Sequence, residues 1–142
     1  MQGDIRQPDG IFAAPEFSQL IDFSQPVGTL FVAVLHFITD EDDPGGIVRA
    51  FTRHLIPGSH LAVSHITSDG TNPGVIATVQ EAYAKASAPA VSRTRAEIRA
   101  FFSGFDLIRP GLQDVTQWFP YAAVFRTQQP ALRFLAGIGR KG

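Results

Sequence analysis

The chain has no cysteine, one methionine, one tryptophan and no run of like charge longer than four residues. Without cysteine, disulfides, thiolate metal sites and cysteine nucleophiles are excluded. The 12 basic and 13 acidic residues are scattered, leave a formal charge of -1, and include no basic stretch able to neutralise a row of phosphates. Nucleic acid is therefore not expected as a partner. The longest apolar run, Val27 to Ile38, is about a dozen residues, against the roughly 20 that a membrane-spanning helix needs. Met1 to Pro8 carries Asp4 and Arg6 and lacks the apolar core of a signal peptide. These absences predict a soluble, cytoplasmic protein without a membrane partner.

What is present is enough for one core. A chain of 142 residues with 44% hydrophobic content falls in the range of a single domain, here spanning 1–142. Val27 to Ile38 is rich in β-branched and aromatic residues without polar alternation, the pattern of a parallel strand covered on both faces. Asp43 can cap a helix whose first position is Pro44, with Ile47, Val48, Phe51 and Leu55 on one stripe, Arg53 and His54 in the last turn, and Pro57-Gly58 as the stop. His60 to Ile66 reads as a second strand, which completes a strand-helix-strand crossover. Asn72-Pro73 opens another helix whose face of Val75, Ile76, Val79, Ala82 and Tyr83 is expected to cover the sheet. Thr94 and Glu97 have capping-box spacing, followed by Ile98, Phe101 and Phe102, with Gly104 as the stop. Phe105 to Ile108 and the alternation of Leu132, Phe134, Ala136 and Ile138 predict a closing antiparallel pair, joined through Pro110-Gly111 and an irregular stretch around Trp118-Phe-Pro120. The order is α/β throughout.

Ligands in open parallel sheets collect at the carboxyl ends of the strands, and the two strands end in Leu35-His36-Phe37 and Ser64-His65-Ile66. Both histidines are expected to border one crevice, either as hydrogen-bonded strand-edge residues or as functional groups. A metal site of His36, Asp40, His60 and His65 would need His60 and His65 together, yet they stand at opposite ends of one strand, so no metal is expected. A hydrolase using Ser64 beside His65 fails because neighbours on a strand face opposite ways and no G-x-S-x-G turn exists. Gly137-Ile-Gly139-Arg-Lys-Gly142 matches a dinucleotide fingerprint but has no helix after it, so it is a decoy. The acidic run Asp40 to Asp43 reads as a solvated helix entry.

Taken together, Asp22-Phe-Ser-Gln-Pro-Val27, Val34-Leu-His-Phe37, Asp40-Glu-Asp-Asp-Pro44, Pro57-Gly-Ser-His-Leu61, Ser64-His65, Arg93-Thr94, Glu97, Phe101-Phe102, Gly104, Pro110-Gly111-Leu112 and Trp118 resemble one family. It is the actinobacterial S-adenosyl methyltransferases, formerly a domain of unknown function. The resemblance implies the Rossmann-like class I methyltransferase fold, of which this would be the carboxyl-terminal part: a mostly parallel sheet with a terminal antiparallel pair. On that template Val27 to Ile38 is the fourth strand and His60 to Ile66 the fifth. The implied cofactor is S-adenosyl-L-methionine, with Asp4 and Ile5 at the adenine and Leu35 and His36 beside it. His65 and Arg95 would face a small-molecule acceptor, and His36 or His65 would be the catalytic base.

The first strand, its glycine-rich loop and the acidic residue that holds the ribose have no counterpart in these 142 residues. A fourth strand without its neighbour would be a long apolar edge, so the chain is expected either to be a truncated copy or to cover that edge as a homodimer. The alternative to an enzyme is a non-catalytic remnant or interaction module that no longer binds the cofactor. A nicotinamide-dependent oxidoreductase would lack its fingerprint too, and fold alone does not decide function.

Overall fold

The apolar run from Val27 to Ile38 is not one strand. In the computed structural model, which describes residues 3–118 and 131–142, strand β1 is only Gly28–Val32. Ala33 then turns into the left-handed region at φ 54° and gives its N–H to Ser64 Oγ at 2.9 Å. A residue bearing a Cβ is uncommon there, so the chain leaves the sheet at a strained position. Leu35–Phe37 forms a 3₁₀ turn and Asp40–Asp42 another. Leu35 and Ile38 are apolar because the turn is buried, not because the strand continues.

Helices α1 (Pro8–Phe12) and α2 (Pro15–Leu20) precede β1. Phe12 and Phe17 meet at 5.1 Å between ring centroids, and Phe12 also packs on Phe51 and His54. Helix α3 (Pro44–Thr52) is capped by Asp43, whose side chain accepts from the Gly46 N–H. It ends before His54, one turn earlier than the sequence suggests. Strand β2 (His60–Ile66) pairs parallel with β1, from Gly28 opposite His60 to Val32 opposite Ser64. The crossover is therefore present. Helix α4 (Pro73–Tyr83) is capped by Asn72, and α5 (Arg95–Ala100) has both bonds of the Thr94–Glu97 capping box.

Three strands close the sheet: β3 (Asp106–Leu107), β4 (Gln113–Asp114) and β5 (Phe134–Arg140). β5 runs antiparallel to β2, β3 and β4, giving the order β1-β2-β5-β3 with β4 also on β5. The result is a mixed α/β fold on a five-stranded sheet. Phe119 and Pro120, placed by the sequence in the connection to β5, lie outside the described residues. Among the described residues no helix is long and apolar enough to cross a membrane.

The two faces of the sheet differ. Phe31, Leu61, Val63, His65 and Leu135 are buried on one, in a core with Ile47 and Val48 of α3 and Ile98, Phe101 and Phe102 around α5. Gly137 and Gly139 lie on this face: a Cβ on Gly139 would stand 2.7 Å from Phe105 Cβ, and one on Gly137 3.0 Å from Phe102 Cζ. Close packing of aromatic rings on the strand, and not phosphate binding, accounts for those glycines. On the other face Leu30 and Val32 are 67% and 57% exposed, and Ala62, Ser64, Ala136 and Ile138 continue the row. There Val115 and Trp118 enclose an apolar hollow of about 300 Å³, and Trp118 Nε1–H donates to the Ala136 carbonyl at 2.9 Å.

Helix α4 corrects a second expectation. It forms where its cap and stripe predict, but none of its residues is buried, and Val75, Ile76 and Val79 are only half-covered. An apolar stripe requires a partner surface, and sequence periodicity does not supply one.

Candidate functional site

The carboxyl ends of β1 and β2 converge on a buried polar cluster. His36, in the 3₁₀ turn after β1, and His65, near the end of β2, are 4% and 0% exposed, with ring centroids 5.6 Å apart in an edge-to-face arrangement. The structure thus brings together the two histidines that the sequence singles out. Between them and the turn lies Arg93, itself 4% exposed. Its guanidinium donates to the Leu35 carbonyl (3.1 Å), the Ile38 carbonyl (3.0 Å) and Asp40 Oδ1 (2.6 Å), and stands 2.8 Å from His65 Nε2. It also lies over the ring of Phe101, 5.8 Å from the centroid.

This geometry fixes the tautomer of His65. A guanidinium has only donors, so Nε2 must accept, and the proton sits on Nδ1, which donates to the Ile66 carbonyl at 2.7 Å. Burial pushes the His65 pKa down to about 4, and the charge of Arg93 acts in the same direction against the hydrogen bond to the Ile66 carbonyl. His36 is also held below the usual imidazole range, first by burial and then by Arg93. Both rings are neutral at pH 7. They differ in one respect: His65 has both nitrogens engaged, whereas His36 Nδ1 is buried with no hydrogen-bond partner among the described residues.

Aromatic rings surround His36. Phe37 lies at 4.4 Å and Phe134 at 5.9 Å between centroids, and Phe37 in turn meets Tyr83 of α4 at 5.2 Å. Among the described residues no group of three His, Cys, Asp or Glu side chains is arranged to hold a metal ion.

Asp4 and Ile5 form a turn before α1. The Asp4 carboxylate accepts from the Arg6 side chain at 2.7 to 3.1 Å and from the Arg6 N–H at 2.9 Å, which keeps it below the usual carboxylate range. The Arg6 charge is sustained chiefly by Asp4. Ile5 packs against the core. Arg95 is engaged differently: its guanidinium donates to the Leu112 carbonyl and its N–H to Asp69 Oδ2 at 2.8 Å, and none of its hydrogen bonds is with a histidine.

Arg93 is the residue that sequence reasoning passes over. It stands in the motif Arg93-Thr94, where the helix cap is the legible feature, and its acceptors lie 28 to 58 positions away. Asp40 is likewise more than a solvated charge: its side chain is 82% exposed, yet one oxygen pairs with the buried Arg93.

A βαβ crossover closed by an antiparallel strand, with polar groups gathered at the ends of its parallel strands, defines a mixed α/β domain of the kind that binds ligands at those ends. The chain belongs to the S-adenosyl methyltransferase family, whose model matches residues 1–142. It is similar to a DUF574 family protein from Streptomyces avermitilis, with 34% identity and a TM-score of 0.91 over 100% of this chain and 54% of the other. It is also similar to a proposed methyltransferase from Thermobifida fusca, with 28% identity and a TM-score of 0.78 over 99% of this chain and 53% of the other. The chain spans about half the length of these solved proteins. No curated protein matches it.

Proposed function

We propose that this chain carries the adenine-side and acceptor-side residues of an S-adenosylmethionine-dependent methyltransferase acting on a small molecule. The observation that carries this function is the polar cluster at the carboxyl ends of β1 and β2 in a chain that matches the family throughout. The order β1-β2-β5-β3 supports equating these strands with the fourth, fifth, seventh and sixth of the class I template.

The residues present suit one end of the cofactor. An adenine edge needs an acceptor for its amino group and a donor for its ring nitrogen, and the half-exposed Asp4 carboxylate, on exchanging part of its pairing with Arg6, and the Ile5 N–H would offer both. Leu35 and His36 would line the crevice beside it. S-adenosylmethionine, when bound, supplies an activated methyl group. The protein then has to align the acceptor and take its proton. His36 is the better placed of the two histidines for that proton, being neutral and holding Nδ1 without a partner among the described residues. His65, its lone pair occupied by Arg93, acts by holding the crevice. Arg95 would reach an acceptor only by releasing the Leu112 carbonyl. Phe37, Tyr83 and Phe134 suit a flat or apolar acceptor. Calorimetry with S-adenosylhomocysteine is expected to give micromolar binding, weakened at least tenfold by Asp4→Ala. Absence of binding at millimolar concentration would favour a non-catalytic remnant.

One observation favours that second function, an interaction module. The uncharged strand β1 carries the exposed Leu30 and Val32 and pairs on one side only among the described residues. Such a module would pair with a second copy, and light scattering would show a dimer that Leu30→Lys returns to monomer. A wild-type monomer across the concentration range would remove it.

A further inference from the structure

One side chain connects the end of β2 with the turn that follows β1. The Arg93 backbone is tied to the end of β2, its N–H donating to the Ile66 carbonyl at 3.2 Å and its carbonyl accepting from Ser68 N–H at 3.0 Å. Thr67 and Arg93 form an isolated parallel bridge. The next residue, Thr94, is the cap of α5. The backbone at Arg93 is thus anchored on both sides, and its side chain is directed away from that anchor into the turn after β1.

In that turn the guanidinium meets two backbone carbonyls three residues apart, Leu35 and Ile38, together with the Asp40 carboxylate. Leu35 O also accepts from Ile38 N–H at 3.2 Å, whereas the Ile38 carbonyl has Arg93 as its described partner. The turn begins just after the left-handed Ala33, so the chain there is not held by sheet pairing. Its remaining described tie to the rest of the crevice is the His36 carbonyl, which accepts from Val91 N–H at 2.8 Å, two residues before Arg93. Segment 91–93 therefore holds the turn at three successive heights: His36 through Val91, and Leu35 and Ile38 through Arg93.

We infer that Arg93 is the positioning residue of this site: it fixes the Leu35–Asp40 turn against β2 and occupies Nε2 of His65, whose Nδ1–H is held by the Ile66 carbonyl, leaving His36 as the histidine available to a ligand. The inference rests on the proposed function only in treating the crevice as the ligand site; the tautomer and the turn geometry belong to the chain with or without cofactor. A planar fork with five donors is needed for this set of acceptors. Lysine, with three donors radiating from one nitrogen, keeps the charge but cannot span two carbonyls, a carboxylate and an imidazole together.

The experiment uses this chain without ligand. Long-range ¹H–¹⁵N correlation spectra of the imidazole rings are expected to show wild-type His65 with a protonated Nδ1 and an unprotonated Nε2, unchanged between pH 7.5 and 5. In Arg93→Lys, with circular dichroism establishing that the fold is kept, the His65 Nε2 resonance is expected to shift as it loses the guanidinium donor, while Nδ1 stays protonated on the Ile66 carbonyl. The amides of Leu35 to Asp40 are expected to exchange with deuterium at least tenfold faster, while those of α5 change less than twofold. A purely structural role would lower the melting temperature and leave the His65 Nε2 resonance and the exchange of the turn alone. The inference is overturned by wild-type His65 in the Nε2–H form, or by a folded Arg93→Lys with unchanged His65 signals and unchanged exchange in the turn. Should Arg93→Lys not fold, Arg93→Gln is read in the same way, with the same two outcomes. None of these readouts depends on methyl transfer, so failure of S-adenosylhomocysteine to bind bears on the proposed function and not on Arg93.

Discussion

Replacing Arg93 by methionine is expected to lower the free energy of unfolding by about 3–5 kcal/mol, the largest effect of any single substitution considered. Methionine fills much of the same volume, so packing is not the main loss. What changes is hydrogen bonding in the interior. The Ile38 carbonyl and His65 Nε2 lose their described partner, and Leu35 O keeps only the Ile38 N–H. A buried polar group left without a partner costs about 1–3 kcal/mol. The exposed side of the Arg93–Asp40 pair contributes little, because Asp40 is 82% exposed and its charge is well solvated. Urea unfolding at pH 7.5 measures the difference, and Asp40→Ala serves as the control, with an expected loss of about 1 kcal/mol or less. A loss under about 1 kcal/mol in Arg93→Met would show that the cluster is not satisfied in the way the distances indicate.

The second large effect is acid destabilisation well above the carboxylate range. His65 has a folded pKa of about 4 against 6.5 for the free side chain. Between those values the unfolded chain binds a proton that the folded chain does not, so stability rises with pH through this window. The contribution is complete above about pH 6.5 and is lost progressively as pH falls toward 4. At 1.36 kcal/mol for each unit the full loss is about 3 kcal/mol, and His36, lowered in the same direction, adds to it. Carboxylates such as Asp22 and Glu97, held low by Ser24 and Thr94, lose their contribution only at more acid pH. Urea unfolding at pH 7.5 and 4.5 should therefore differ by about 2–3 kcal/mol, and His65→Gln should flatten the profile. A flat wild-type profile would mean that His65 is open to solvent.

Much of the fold is legible in the sequence because its signals are local. Asp43 before Pro44, Asn72 before Pro73, and Thr94 with Glu97 each mark a helix start by groups within three residues of one another, and all three caps form. The crossover and the closing antiparallel strand follow from the alternation of strand and helix patterns. The misjudged parts depend on distant partners. Apolar content alone does not separate the strand Gly28–Val32 from the buried turn at Leu35–Phe37, because both need to exclude water. The break between them sits at Ala33, a residue type with no preference for the left-handed conformation found there. The stripe of α4 was visible, but nothing in the stripe said that its partner surface would be slight.

The site divides in the same way. His36 and His65 were placed together by the rule that ligands gather at strand ends, and their rings are 5.6 Å apart. Their different surroundings were hidden, because the group that distinguishes them is Arg93, which reaches across more than fifty positions of the chain to Leu35 and Ile38. An arginine before a helix cap ordinarily belongs to the surface. Only the fold reveals that this one is enclosed by carbonyls.

The central claim is that Asp4, Ile5, Leu35 and His36 receive the cofactor. A titration of this chain with S-adenosylhomocysteine, followed residue by residue in amide and imidazole NMR spectra, tests it most directly. The account predicts that shifts concentrate at those four residues and the His36 ring, with His65 little changed. Shifts centred on the open sheet face at Val32, Val115 and Trp118, or none at millimolar concentration, would contradict it.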